Sequence, residues 1–212
     1  MIERENMYLE ELIEKKWKAD RDDEKGKLYV VMREVSDETY LHCLCKKIDM
    51  NYYEKLEEAL NIKLISELKE FYEHYNGCRL FLSSINIYGV GIGESSPMEF
   101  ILNDSNMHWE IKDKKVSKAT FDDIVFFGSV GKYNAFYKQS EYSDPKIYLA
   151  KHGSVEPVKK FDSIKDMMTY YFDYLTPEYD EKGYRKHPNN EEWCAKYPAL
   201  ANSFDGDITW TN

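Results

Sequence analysis

The residues able to do chemistry fall into small groups along the chain, and each can be held against what its chemistry demands. His42, Cys43 and Cys45 bring together the imidazole and thiol ligands that zinc prefers. In an extended segment Cys43 and Cys45 share one face while His42 points to the other. No Cys-x-x-Cys or His-x-x-His elsewhere completes the ligand set, so the thiols are expected as buried core groups and no metal is expected. Cys78 and His74 are the best nucleophile and base available, yet Cys78 follows Asn76-Gly77 and is expected to turn into a sheet. The glycine run Gly89, Gly91, Gly93 would cradle a phosphate only with a helix start directly behind it. Ser95-Ser96-Pro97-Met98 offers none, and a turn or bulge is expected. Asp205-Gly206-Asp207 matches a fragment of a calcium loop without the later glutamate. Asp122 and Asp123, adjacent on a strand, would face opposite ways and cannot address one bond. These groups give no catalytic constellation, so neither an enzyme nor a cofactor is expected.

The elements that must position these residues are clearest between Leu60 and Tyr88. Leu64, Ile65, Leu68, Phe71, Tyr72 and Tyr75 lie one helical turn apart and form a continuous apolar stripe. Ser66 is expected to cap that helix, Glu67 and Glu70 to sit in its first turns, and Asn76-Gly77 to stop it. Arg79 to Tyr88 reads as strand. Upstream, residues 3–18 read as a helix with Tyr8, Leu9, Leu12, Ile13 and Trp17 on its apolar face, followed by a charged loop from Asp20 to Lys27. Leu28–Val35 and Thr39–Ile48 read as a hairpin. Downstream, strands are expected at His108–Lys112, Asp123–Val130, Tyr133–Lys138, Lys146–Lys151 and Val155–Lys160. Ser163 then opens an apolar helix that Pro177 ends. The aromatic tail beyond it is expected to lie back on the domain, with a short helix near Asn190–Tyr197.

The 212 residues, 42% hydrophobic, suffice for a sizeable buried core. Net charge is −10, which disfavours direct nucleic-acid binding and favours a basic partner. The acidic excess is densest around the two-helix opening. Between residues 51 and 100, Glu54, Glu57, Glu58, Glu67, Glu70, Glu73, Glu94 and Glu99 stand against Lys55, Lys63, Lys69 and Arg79. Eighteen tyrosines supply rings with a polar tip, suited to interfaces. Cys43, Cys45, Cys78 and Cys194 are irregularly spaced, Met1 is followed by Ile-Glu-Arg-Glu-Asn without an apolar leader, and no stretch reaches the ~20 apolar residues of a membrane span. A reducing cytoplasm is the expected compartment.

Tyr53–Leu60, then Leu-x-x-Phe-Tyr-x-x-Tyr-Asn-Gly within Ser66–Gly77, then Leu80–Tyr88, together with the late apolar helix in Phe161–Leu175, resemble the SUKH superfamily. That superfamily includes fungal cell-wall-synthesis regulators and bacterial immunity proteins that neutralise polymorphic toxins. The resemblance spans residues 51–175. It implies an α+β fold, with helices packed on a mostly antiparallel sheet. Residues 1–212 are expected to form a single domain, with 1–50 and 176–212 as N- and C-terminal extensions of a core at 51–175. It also implies a non-catalytic immunity protein that binds a cognate toxin, often a basic nuclease domain. The alternative is a regulator or scaffold with several cellular partners, and the oligomeric state, monomer or homodimer, stays open. Toxin-binding residues are expected at sheet-edge loops, which present side chains freely: Glu94, Glu99, Asp104, Trp109, Tyr133 and Tyr137. The family motif assigns none of them a role.

Overall fold

The structure is a computed structural model that describes residues 8–22, 27–31, 40–91, 102, 107–112, 115–120 and 122–186. Helix α1 (Tyr8–Glu14) leads into strands β1 (Asp20–Asp22), β2 (Lys27–Val31) and β3 (Tyr40–Lys46). Helices α2 (Asn51–Leu60) and α3 (Ser66–His74) follow, then β4 (Tyr75–Leu80) and β5 (Ile85–Ile87). A separate hairpin, β6 (Met107–Lys112) with β7 (Lys115–Thr120), precedes β8 (Ile124–Val130), β9 (Tyr133–Lys138), β10 (Ile147–Lys151) and β11 (Lys159–Phe161). Helix α4 (Ile164–Leu175) closes the series. The main sheet runs β1-β2-β3-β4-β5-β8-β9-β10-β11 with every neighbouring pair antiparallel, the α+β architecture anticipated from the sequence.

Strand periodicity divides this sheet into two faces. Leu28, Leu44, Cys78, Leu80, Ile85, Ile87, Phe127, Ala135, Tyr137 and Leu149 enter the main core on one face. Every described helix packs there: Leu9 and Ile13 of α1, Tyr53, Leu56 and Leu60 of α2, Leu68, Phe71 and Tyr72 of α3, and Ile164, Met168 and Phe172 of α4. The other face carries separate clusters, Cys43 with Cys45, and Phe126, Phe136, Tyr148 and Ala150. The N-terminal segment is tied to the turn that follows α4. Lys16 Nζ donates to the carbonyls of Thr176 and Tyr179, and Trp17 Nε1 donates to Asp180 O at 2.9 Å.

Several local expectations are overturned. Ile65, extended, is the N-cap of α3, and Ser66 is already helical and caps nothing. The helix ends at His74, so Asn76-Gly77 does not stop it. Tyr75 is extended (φ −142°), and Asn76 and Gly77 lie inside β4, Gly77 at φ +90°. Arg79–Tyr88 is a hairpin, not one strand. Phe81, Leu82 and Ser83 turn it with φ of 52°, 55° and 70°, held because Leu82 N–H donates to Leu41 O and buried Phe81 anchors the turn. Asp20–Asp22, read as loop, pairs with β2, and β7 pairs with β6 where no strand was expected. Val155 to Val158 stay out of β11, both valines about half exposed. The short helix anticipated near Asn190–Tyr197 and the acidic turn at Asp205-Gly206-Asp207 lie outside the described residues.

The start of α4 is satisfied from two sides. Ser163 is its N-cap, its Oγ accepting from Asp166 N–H at 2.9 Å. Glu67 of α3 reaches across and accepts from the N–H groups of Ile164 (2.9 Å) and Lys165 (3.3 Å). A carboxylate at a helix N-terminus meets both orphan donors and the positive end of the dipole. Glu67→Ala is therefore expected to cost about 1–2 kcal/mol in urea unfolding, with Glu67→Gln recovering part of it. No difference between Glu67→Ala and wild type would show that the two helices are held by packing alone.

Candidate partner-binding surface

The outer side of α2 and α3 is built from residues the helical stripe leaves over. Tyr53, Leu56 and Leu60 go inward from α2, so Tyr52, Glu54, Lys55 and Glu58 remain outside; on α3, Glu70 and Glu73 are exposed. Asn61 ends α2 in the left-handed region (φ 51°), its N–H returning to Glu58 O. Glu57 holds the connection to α3, accepting from Leu64 N–H at 2.6 Å and pairing with Lys69 at 3.0 Å.

That connection is fastened to the sheet through Lys63. Its carbonyl accepts from Tyr137 Oη at 2.7 Å, and its N–H donates to Gln139 Oε1 at 2.9 Å. Asp123 staples the same loop, accepting from Ser140 N–H at 2.7 Å and Ser140 Oγ at 2.8 Å. Tyr142, 41% exposed, lies here with Lys63 Nζ 5.7 Å from its ring centre. An acidic helical surface thus continues onto a sheet rim, with Tyr52 (44% exposed) and Tyr142 as its large exposed aromatics.

Beneath this surface lies a buried polar network. Asn76 Oδ1 accepts from Tyr53 Oη at 2.6 Å and from Val90 N–H at 2.8 Å, and its Nδ2 donates to Val90 O at 2.9 Å. Tyr53 stacks on Tyr72 with ring centres 4.1 Å apart, and Tyr72 Oη donates to Tyr88 O at 2.7 Å. Burial raises the pKa of Tyr53 and of Tyr72, so both stay protonated donors. Gly89 makes the approach feasible: a Cβ there would lie 2.3 Å from Asn76 O and 2.5 Å from its Oδ1. The first glycine of the run serves close packing; Gly93 lies outside the described residues.

Of the residues singled out for partner contact, Glu94, Glu99 and Asp104 lie outside the described residues, and Trp109 is placed only as a position on β6. The segment that carries them leaves the sheet after β5 and returns before β8, at the rim where Asp123 and Tyr142 lie. Tyr133 starts β9 at the opposite rim, paired with Lys151, half-buried against the core. Tyr137 is fully buried and spends its hydroxyl on Lys63, so it offers a partner no surface. The sequence shows an acidic excess around the two helices, but Glu54, Glu58, Glu70 and Glu73 are not among the residues expected to contact a partner, although their exposure follows from the stripe itself.

The chemistry-capable groups stay apart. His42 is fully buried among Trp17, Phe81 and Phe172, while Cys43 and Cys45 lie on the other face. Cys78 is buried, which pushes its thiol up to about 12, and His74 is exposed. Among the described residues no group of three His, Cys, Asp or Glu side chains could hold a metal, and no helix is long and apolar enough to cross a membrane.

Comparison with curated proteins and with solved structures finds no match. The family model described as SMI1 / KNR4 family (SUKH-1) matches residues 47–170, the stretch from just before α2 to most of α4. The match takes in the helix pair, the Asn-Gly strand, strands β5 to β11 and most of the closing helix, with β1–β3 before it, and the chain belongs to the SMI1 / KNR4 family (SUKH-1).

Proposed function

We propose that this chain is an immunity protein that binds and neutralises a cognate toxin domain, a basic nuclease, by occupying it rather than by catalysis. The observation that carries this reading is the α2–α3 layer: exposed Glu54, Glu58, Glu70 and Glu73 between the exposed rings of Tyr52 and Tyr142, in a member of this family. Carboxylates draw in a cationic partner at long range, and tyrosines hold it at short range. The loop acids Glu94, Glu99 and Asp104, with Trp109, extend the surface in this reading. The place of action is the cytoplasm, where a nuclease meets its nucleic acid.

Charge reversal tests the steering. Glu58→Lys with Glu70→Lys is expected to slow association with the toxin domain roughly three- to tenfold at low salt, with dissociation little changed, in stopped-flow binding. Equal association rates would remove this face from the interface. Identity of the partner is tested by a tagged pull-down from the native cell with mass spectrometry. One dominant basic protein in stoichiometric amount, toxic when expressed alone, supports immunity. Many substoichiometric partners would favour the scaffold reading, and substrate turnover without any protein partner would overturn both.

A further inference from the structure

Among the described residues four large hydrophobic side chains stand well exposed, and they fall on two patches of opposite charge. Tyr52 and Tyr142 belong to the acidic α2–α3 surface. Val155 and Val158 lie in the loop between β10 and β11. Backbone bonds fix that loop where it crosses the rim of the sheet. His152 N–H donates to Lys132 O at 3.2 Å, Ser154 N–H to Lys151 O at 2.9 Å and Val158 N–H to Leu149 O at 2.8 Å. Lys132, from the β8–β9 turn, is thereby brought beside Lys151, which ends β10 opposite Tyr133. Both lysines are exposed, and neither makes an ion pair among the described residues. Glu156 is the one acid in the loop, so the rim is apolar and basic.

The two patches sit at opposite ends of β9. Tyr133 opens the strand at the basic rim; just past its other end Gln139 accepts from Lys63 N–H on the acidic side. A strand of six residues separates them by about 20 Å. One chain therefore cannot join its own two patches, whereas two chains can. Lysines then meet Glu54, Glu58, Glu70 and Glu73, and the valines meet the Tyr52 ring, which gives both the charge and the apolar complement of a contact. The net charge of −10 opposes the approach of two copies. At 0.1 M salt the Debye length is about 10 Å, so that repulsion is screened while charges pressed together are not. We infer that this chain binds a second copy of itself, the Lys132–Lys151 rim with Val155 and Val158 of one chain seating on the acidic α2–α3 surface of the other. The pairing does not depend on the toxin reading; where both hold, toxin and neighbouring chain compete for one surface.

Static light scattering of the full chain alone, at about 0.1 M salt and up to roughly 1 mM protein, tests the pairing. The average mass is expected to rise above the monomer with concentration and to fall back at high salt. Lys132→Glu with Lys151→Glu should weaken association about tenfold or more, and so should Glu58→Lys with Glu70→Lys. An equimolar mixture of these two double variants should recover it, since the first keeps the acidic surface and the second keeps the basic rim. A wild type that stays monomeric throughout, or a rim reversal that leaves association unchanged, would overturn the inference. So would a mixture that stays monomeric while both variants keep the wild-type circular dichroism spectrum. None of these outcomes touches the toxin reading, because the rim variants leave the toxin-facing carboxylates in place.

Discussion

Replacing Asn76 with alanine is expected to lower the unfolding free energy by about 3–5 kcal/mol, one of the largest single losses available in this chain. The substitution removes the partner that Asn76 offers to the Tyr53 hydroxyl, the Val90 N–H and the Val90 carbonyl in the buried network. Each buried group left without a partner costs about 1–3 kcal/mol. Tyr53→Phe removes one donor and leaves Asn76 its two bonds to Val90, so a loss of about 1–1.5 kcal/mol is expected. The double variant should lose less than the sum, because the Tyr53–Asn76 bond is then counted once. Urea unfolding of the four proteins measures this directly. Additive losses would mean that the two side chains act independently and that the network is not cooperative.

Acid should unfold the protein partly through one histidine. His42 is fully buried, and burial lowers its pKa to about 3. Its Nδ1 accepts from Phe81 N–H at 3.4 Å, so the neutral ring carries its proton on Nε2, which has no partner. Trp17, Phe81 and Phe172 surround the ring and supply neither a carboxylate nor an acceptor to offset the cost of burying its charge. The native state therefore holds His42 neutral while the unfolded chain protonates it at its ordinary 6.5. Above that pH the group leaves stability unchanged. As pH falls from 6.5 towards 3 the unfolded state gains a proton that the native state refuses. Stability is then lost with a slope approaching 1.4 kcal/mol per pH unit, roughly 5 kcal/mol in all. His42→Leu should sit within about 1–2 kcal/mol of wild type at pH 7.5, set by the weak Phe81 bond it loses. At pH 4 it should be the more stable protein. Parallel stability profiles for the two would show that the acid sensitivity belongs to the carboxylates.

Which parts of this were legible in the sequence depends on the range of the forces involved. Helix α4 was, because Ile164, Met167, Met168, Tyr171, Phe172 and Leu175 carry their own period and Ser163 its own cap. The opposite facing of His42 and Cys43 followed from strand alternation alone. Asn76-Gly77 misled because its local signal is that of a helix stop, whereas its partner Val90 lies fourteen residues on, across a hydrogen bond that no local rule contains. The turn at Phe81-Leu82-Ser83 carries no glycine or asparagine, so nothing marked it; it is fixed by where Phe81 packs and by Leu41. Conversely Asn61, left-handed at the end of α2, was a usable mark left unread. The acidic α2–α3 surface was half legible, as a charge excess without a face.

Strands β5 and β8 hydrogen-bond to each other directly, although residues 88–123 lie between them in the chain. The exit is pinned by Asn76 on Val90 and by Tyr88 N–H on Phe127 O at 2.8 Å, and the return by Asp123 on Ser140. Among the described residues this segment adds no strand to the main sheet, though Leu102 within it is fully buried in the main core. Doubling the length of a flexible closure costs only about 0.6 kcal/mol, less than one cap. Insertions between Val90 and Asp123 that spare the buried Leu102 should therefore leave the register of the main sheet unchanged. Tyr88, Val90 and Asp123 take up the strain of any such change at the exit and return, so the paired strands on either side need not register it.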